Sequence, residues 1–367
     1  MTAQLRSVGT AVPSTRLPQS KIRDLFVSQE GTARLTGRLI RAAFDAAAID
    51  GRHTVIGELD GRPEGVFLQA DHRLLTPTTG VRNAIYREQA PPLFAAAARD
   101  ALARAQLPAS AVTHVITVSC TGFFAPGPDY HLVRDLGLRS DTERYHLGFM
   151  GCAAAIPALR AAAHICNARP GSVALVVCAE LCSLHLRASA DPDQIVASAV
   201  FADGAAAAVV TADPPSDPGE PVLEIEQFTT ALTGDGEKDM DWTIGDEGFE
   251  MVLTAEVPRI VGREIRAAVE SIAGQGGAEA VDAWAIHPGG RSILDRVQAG
   301  LELSDREMAP SRDVLRDYGN MSSATVLLIL QRILADDTLE DGARVLGIGF
   351  GPGLTVESMR CLRRSSP

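Results

Sequence analysis

RYHLGFMGCAAAIPALRAAAHICNARPGSVALVVCA, residues Arg144–Ala179, decides the fold. Arg144–Phe149 reads as a short strand, and the glycines at 148 and 151 mark a sharp turn. Cys152–Cys166 is an alanine-rich helix. Val173–Ala179 is a continuous apolar run, the mark of a strand covered on both faces. The same alternation extends in both directions. Upstream, PPLFAAAARDALARAQLP (Pro91–Pro108) is a helix opened by proline and closed by Leu-Pro. The strand HVITVSC (His114–Cys120) follows, then a helix over Asp129–Leu136. Nearer the start, Ser7–Pro13 reads as a strand and Thr32–Ala48 as an amphipathic helix. Downstream, DGAAAAVVTADPP (Asp203–Pro215) is a strand running into the Pro/Asp/Gly-rich stretch Asp213–Pro221.

Beyond that stretch the plan repeats. Val257–Ala273 is helical, Ala283–His287 is a strand, Ser292–Gly300 and Met321–Ala335 are helices, and Arg344–Gly349 is a strand entering GFGPGL. Strands alternating with helices of this length predict an α/β fold with a mostly parallel sheet covered on both faces. Two halves of similar order predict a duplication, with boundaries at residues 1–215 and 216–367.

Composition narrows the function. The 367 residues carry 34 basic and 46 acidic side chains, a net charge of −12, and show no Lys/Arg run. That argues against nucleic acid as a partner, since a phosphate-backbone binder needs a basic face. No stretch approaches the length of an apolar membrane span, and no basic-then-apolar leader opens the chain, so the expected location is the cytoplasm. Lys21 and Lys238 are the only lysines. The arginine and alanine excess points to a GC-rich bacterial genome. Six cysteines lie mostly in apolar runs, and neither CxxC nor HExxH occurs, so neither a disulfide framework nor a metal site is expected.

Three residues could carry chemistry. Cys152 follows a strand and a tight turn and opens a helix, where unpaired backbone N–H groups and the helix dipole lower a thiol pKa. A small buried residue at a turn reads equally well. His287 ends a strand in DAWAIHPGGRSILD, at the sheet edge where open α/β sheets bind ligands; a hydrogen-bonded loop histidine is the plainer alternative. Asn320, in DYGNMSSATVLLIL, is a good N-cap. Taken together, the three supply a thiol, a cationic partner for its thiolate and two donors for a developing oxyanion. GFGPGLTVES (Gly349–Ser358) lacks both the lysine and the GxGxxG spacing of a phosphate cradle, and reads as a close backbone approach to a cavity.

GFMGCAAA, VFADGAAAAVV, AIHPGG, YGNMSSA and GFGPGLTVES, in this order, resemble the type III polyketide synthases, the chalcone-synthase-like branch of the thiolase fold. The resemblance runs from about Thr76 to Leu362. It implies a duplicated α/β/α/β/α layered fold and an acyltransferase that uses coenzyme A thioesters as substrates, with no resident cofactor or metal. Cys152 would be the acyl-accepting nucleophile, His287 its partner, Asn320 the second carbonyl-polarising donor and Phe201 the gatekeeper between coenzyme A tunnel and cavity. Iterative decarboxylative condensation of malonyl-CoA onto the acyl starter, then cyclisation, would be the reaction. A homodimer is implied, with Thr121–Asp129 at its interface and a cis proline after Ala125. Arg38 and Arg41 lie near the positions matched by basic coenzyme A ligands, with Arg52 as another choice.

Plant members carry Met at the position of Ala125, Phe at that of Met251, and Thr where this chain has Cys120, Cys182 and His185. With Thr121, Trp242 and Ser322 these residues would shape the substrate site. The SCTGFFAPG and CAELCSLH patterns are similar to those of bacterial alkylpyrone and alkylresorcinol synthases. A medium- or long-chain acyl-CoA starter, extended two or three times and closed to a pyrone or resorcinol, is the expectation. The nearest rival is an initiating β-ketoacyl-carrier-protein synthase, whose histidine precedes Gln-Ala-Asn rather than Pro288-Gly289-Gly290. A degradative thiolase would need a cysteine within Gly349–Gly353, and a hydroxymethylglutaryl-CoA synthase a glutamate, for which Glu180 is the nearest. A non-catalytic partner subunit is the alternative from another class.

Overall fold

The computed structural model describes residues 2–61, 65–213 and 220–365. The first half runs β1 (Gln4–Ala11), β2 (Thr15–Pro18), α1 (Gln19–Val27), α2 (Arg34–Ala46), β3 (Gly51–Thr54), α3 (Thr79–Arg104), β4 (His114–Ser119), α4 (Pro128–Asp135) and β5 (Glu143–Gly148). It closes with α5 (Ala155–Ala168), β6 (Val173–Leu181), α6 (Pro192–Val200) and β7 (Asp203–Thr211). The second half runs β8 (Pro221–Leu232), β9 (Met240–Gly245), β10 (Gly248–Leu253), α7 (Glu256–Ala273), β11 (Ala283–Ile286) and α8 (Arg291–Leu301). It ends with α9 (Asp305–Tyr318), α10 (Ala324–Leu334), β12 (Arg344–Gly351) and β13 (Thr355–Ser365). The expected boundary after residue 215 lies outside the described residues.

Nine strands form one ladder in the order β11-β12-β13-β8-β1-β7-β6-β4-β5. The duplication is visible in that order: β1-β7-β6-β4 on one side of the centre corresponds to β8-β13-β12-β11 on the other. The directions match as well. β7 is antiparallel to β1 and β6, and β13 to β8 and β12, while β4–β6 and β11–β12 are parallel. The halves join where β1 meets β8 through just two residue pairs.

The expectation of a mostly parallel sheet is therefore corrected to a mixed one. β12 returns into β13 through the short turn Pro352–Leu354, which has room for an antiparallel return but not for a crossover helix. Apolar side chains fill three cores. Ala158, Leu159 and Ala162 of α5 and Val326, Leu327 and Leu330 of α10 pack between the two parts of the sheet. Phe94, Ala97 and Ala101 of α3 cover the outer face of the first half, with Phe26 and Phe44 of α1 and α2. Val261 and Ile265 of α7 and Leu294 of α8 cover that of the second. The layers are α/β/α/β/α.

Pro91 does not open α3: the helix begins at Thr79 and carries Pro91 and Pro92 inside. Their missing N–H groups would have met the carbonyls of Arg87 and Glu88, which are exposed residues where water can serve instead. Pattern reading also passed over the antiparallel hairpin β9–β10, which shapes the site, and α9. No described helix is long and apolar enough to cross a membrane.

Candidate active site

Cys152 sits in a short 3-10 turn, Gly151–Ala153, between β5 and α5 rather than on the first turn of the long helix. The turn is tight because Phe149 and Gly151 both take left-handed backbone angles, φ 58° and 64°. A Cβ at Gly151 would lie 2.2 Å from Pro352 Cδ. Gly349 and Gly351 of β12 pack against the same turn, leaving 3.0 Å between an added Cβ and the backbone of Ala153 or Met150. The glycine-rich strand thus lets its backbone abut the nucleophile turn, a sharper role than approach to a cavity.

His287 follows β11, and its backbone N–H donates to the Ile348 carbonyl. Its ring is fully buried, and neither ring nitrogen has a partner among the described residues. Asn320 is no helix cap: α10 begins after Ser323. Its backbone is bridged to the α6–β7 junction, with N–H donating to Val200 O and C=O accepting from Ala202 N. The side chain points the other way. Oδ1 accepts from Ser322 N at 2.8 Å, Nδ2 donates to Gly289 O at 3.4 Å, and Cys152 Sγ lies 4.0 Å from both. Asn320 therefore ties the cysteine turn to the His287-Pro-Gly-Gly loop.

Burial dominates the electrostatics here. It pushes the Cys152 thiol up to about 11, against hydrogen bonds from Ser322 and Asn320 that favour the thiolate. It also pushes His287 down to about 3. The cysteine precedes α5 and is largely enclosed, so desolvation opposes the thiolate that the helix-end argument expects.

Around the thiol lies a buried polar cluster that sequence reading undervalued. Glu180 accepts from Cys120 N at 3.0 Å, Thr121 Oγ1 at 2.9 Å and Ser323 Oγ at 2.5 Å, and burial raises its pKa. Cys120 Sγ is 3.4 Å from both Glu180 Oε1 and Ser322 Oγ. The signal was available: one glutamate interrupts the otherwise apolar β6.

A cavity lies past Phe201, lined by Phe201, Cys182, His185, Trp242, Phe249 and Met251. Cys152, His287 and Asn320 are not in its wall; Phe201, whose backbone pairs with Asn320, links the two. The β9–β10 hairpin forms one side, with Met251 opposite Trp242. Trp242 Nε1 donates to Cys120 O at 2.7 Å. His185 donates from Nε2 to Thr121 O and accepts Phe249 N–H at Nδ1, which fixes its neutral tautomer. Its ring stacks on Phe249 at 4.1 Å, and burial lowers its pKa to about 3. His185 and Trp242 are thus wall residues.

The remaining expected residues lie elsewhere. Ala125 is exposed on its loop and outside the cavity wall, although its bond to Pro126 is cis as anticipated. Arg38 and Arg41 are exposed on α2, with Arg41 3.8 Å from Asp24. Arg52 is buried and lines the cavity instead.

Residues 1–214 match the family model described as chalcone and stilbene synthases, N-terminal domain, and residues 224–365 match its C-terminal domain. The chain is 33% identical to Type III polyketide synthase 21 of Oryza sativa subsp. japonica, over 97% of this chain and 92% of that protein. It is 30% identical to Probable polyketide synthase 1 of Dictyostelium discoideum over 95% of this chain, which spans only 11% of that protein. Among solved structures, the C-terminal type III polyketide synthase domain of Steely1 from Dictyostelium superposes with a TM-score of 0.90 at 28% identity, all of both chains being covered. PKS-I of the brown alga Ectocarpus siliculosus gives 0.90 at 29%, covering 99% of this chain and 98% of that one. The 1,3,6,8-tetrahydroxynaphthalene synthase of Streptomyces coelicolor A3(2) gives 0.86 at 28%, with full coverage of both.

Proposed function

The chain belongs to the chalcone and stilbene synthase family, condensing enzymes of the acyltransferase class, and from that premise we propose that it builds a polyketide on Cys152 from an acyl-CoA starter and malonyl-CoA. The observation that carries this reading is the convergence at Asn320: thiol at 4.0 Å, histidine loop at 3.4 Å, and the gatekeeper position bridged to its backbone. Sγ attacks the thioester carbonyl, and coenzyme A leaves as its thiol. The proton passes from Cys152 through His287 to the departing sulfur, a role suited to an imidazole whose two nitrogens have no partner among the described residues. Malonyl-CoA then loses CO2, and its enolate oxygen is held by His287 Nε2 and Asn320 Nδ2 while the carbanion attacks the enzyme-bound thioester.

The starter is a medium- or long-chain acyl group, and the product an alkylpyrone or alkylresorcinol. Support comes from Met251, a flexible wall that can follow an aliphatic chain, and from Leu17, Ile22 and Leu59, which also line the cavity. The working unit is a homodimer. β5 is an edge strand with one neighbour, and Tyr145, Phe123, Phe149 and Met150 are exposed around it. An unpaired edge beside an apolar patch suits a second copy of the same surface. Incubation with a panel of acyl-CoA thioesters plus malonyl-CoA, read by mass spectrometry, tests the reading. Products from aliphatic starters support it; turnover of aromatic starters only, or of malonyl-CoA alone, overturns the starter class.

A further inference from the structure

A second cavity, of about 620 Å³, adjoins the catalytic loop. Val200 and Gly289 form part of its wall, and their carbonyls accept from the backbone and the side chain of Asn320. Ala46 of α2 and Val196 of α6, both exposed, lie on its rim. From there α2 carries the wall outward as an apolar stripe. Leu35, Leu39, Ala42 and Ala46 recur at helical spacing and are all exposed, Leu35 at 68% and Leu39 at 40%. The face of α2 that meets the core is a different one, with Ile40 and Phe44. Arg34, Arg38 and Arg41 lie about a quarter turn round the helix from the stripe. They flank it instead of facing the cavity, and Arg34 and Arg38 have no ion pair among the described residues.

What fits such a face is a partner with apolar and acidic groups on its surface and an arm long enough to enter the cavity. Coenzyme A supplies the arm but ends in a nucleotide with several phosphates. Of the arginines lining the cavity, Arg259 is paired with Glu256 and Arg291 with Asp295. Arg296 is exposed and has no ion pair among the described residues, and Asp193 adds a negative charge to the same wall. One unpaired cation suits the single phosphodiester of a protein-bound phosphopantetheine.

We propose that the starter reaches Cys152 on an acyl carrier protein, an acidic partner that docks on Leu35 and Leu39 between the flanking arginines and passes its arm through this cavity. This rests on the acyl-starter reading above and changes only what carries the starter; coenzyme A thioesters are slower donors. The transfer is a thioester exchange: Cys152 Sγ bonds to the acyl carbon, the carbon–sulfur bond to the arm breaks, and the thiol proton goes to the departing arm. The test follows acylation of Cys152 by mass spectrometry with lauroyl on three donors: an acyl carrier protein of fatty-acid synthesis, coenzyme A and free phosphopantetheine. The second-order rate constant is expected to be about 10-fold or more higher for the carrier than for either small donor. Leu39→Asp and Arg34→Glu, both at exposed positions, should each remove that advantage and leave acylation by free phosphopantetheine unchanged. Equal rates from all donors, faster acylation from coenzyme A, or a carrier advantage that survives both substitutions overturns carrier docking and leaves the synthase standing. Binding to anionic phospholipid vesicles that Leu39→Asp abolishes, with no carrier advantage, overturns it in favour of a membrane surface. Acyl label from no donor overturns both readings.

Discussion

The two halves of the molecule follow one path and end at different chemistry. Central helices α5 and α10 occupy corresponding places, and each is preceded by a turn that presents a functional side chain: Cys152 before one, Asn320 before the other. The first half offers a thiol on a turn held by left-handed Phe149 and Gly151. The second offers an amide and, after β11, an imidazole with no partner among the described residues. The halves also differ at their edges. The first ends in β5 with an open side, whereas β11 is covered by α9, whose Ser311 Oγ accepts from Ile286 N. On the proposed reading a duplicated fold divides its labour: one half carries the nucleophile and the surface for a second copy, the other the charge-stabilising donors.

If that division holds, the deepest loss belongs to the first half. Cys152→Ala should reduce product formation on the order of 10⁴-fold or more, measured as product by mass spectrometry; substantial residual chain building would dissolve the division. Second-half substitutions should cost less, because each removes one donor of a pair. His287→Ala and Asn320→Ala are each expected to lower kcat by roughly 100- to 1000-fold. Decarboxylation of malonyl-CoA, followed separately, should fall with them.

Gly151→Ala probes how the thiol is presented. With φ at 64° and Pro352 2.2 Å from the new Cβ, it should cost about 1–3 kcal/mol of stability and lower activity. An unchanged melting temperature would show that the turn relaxes freely. At the open edge, Tyr145→Asp combined with Phe123→Asp should shift the protein toward monomer in sedimentation velocity, while the equivalent change at a second-half surface such as Leu232→Asp should not.

The subtlest contrast is electrostatic. Because burial holds the thiol near 11 and the imidazole near 3, alkylation of substrate-free Cys152 should rise steadily with pH from neutral toward 11. His287→Gln should leave that profile unchanged, since the ring is already uncharged above about pH 3. An inflection near pH 6–7 that vanishes in His287→Gln would show a resting ion pair between the halves.

Much of this was legible in the sequence where local rules decide. The βαβ unit around Cys152 and the strand delivering His287 carry strong periodicity, and their turns carry glycine. What escaped depends on non-local contacts. α3 runs through Pro91 and Pro92 because tertiary packing of Tyr86, Phe94 and Ala98 outweighs the missing bonds. The β9–β10 hairpin has a mixed polar pattern, with Met240 and Phe249 buried while Thr243, Ile244 and Glu250 are exposed. The thiol pKa turned on enclosure by chain far away in sequence, which the helix-end argument could not weigh. Glu180 stood in plain view in an apolar strand; its meaning needed Ser323, from the other half.

The most direct test of the account is intact-protein and peptide mass spectrometry after brief mixing with an acyl-CoA alone. The prediction is a mass gain of one acyl group, located on Cys152 and discharged when malonyl-CoA is added. Acyl label on Cys120 or Cys182 with Cys152 free, or no label while product still forms, would contradict it.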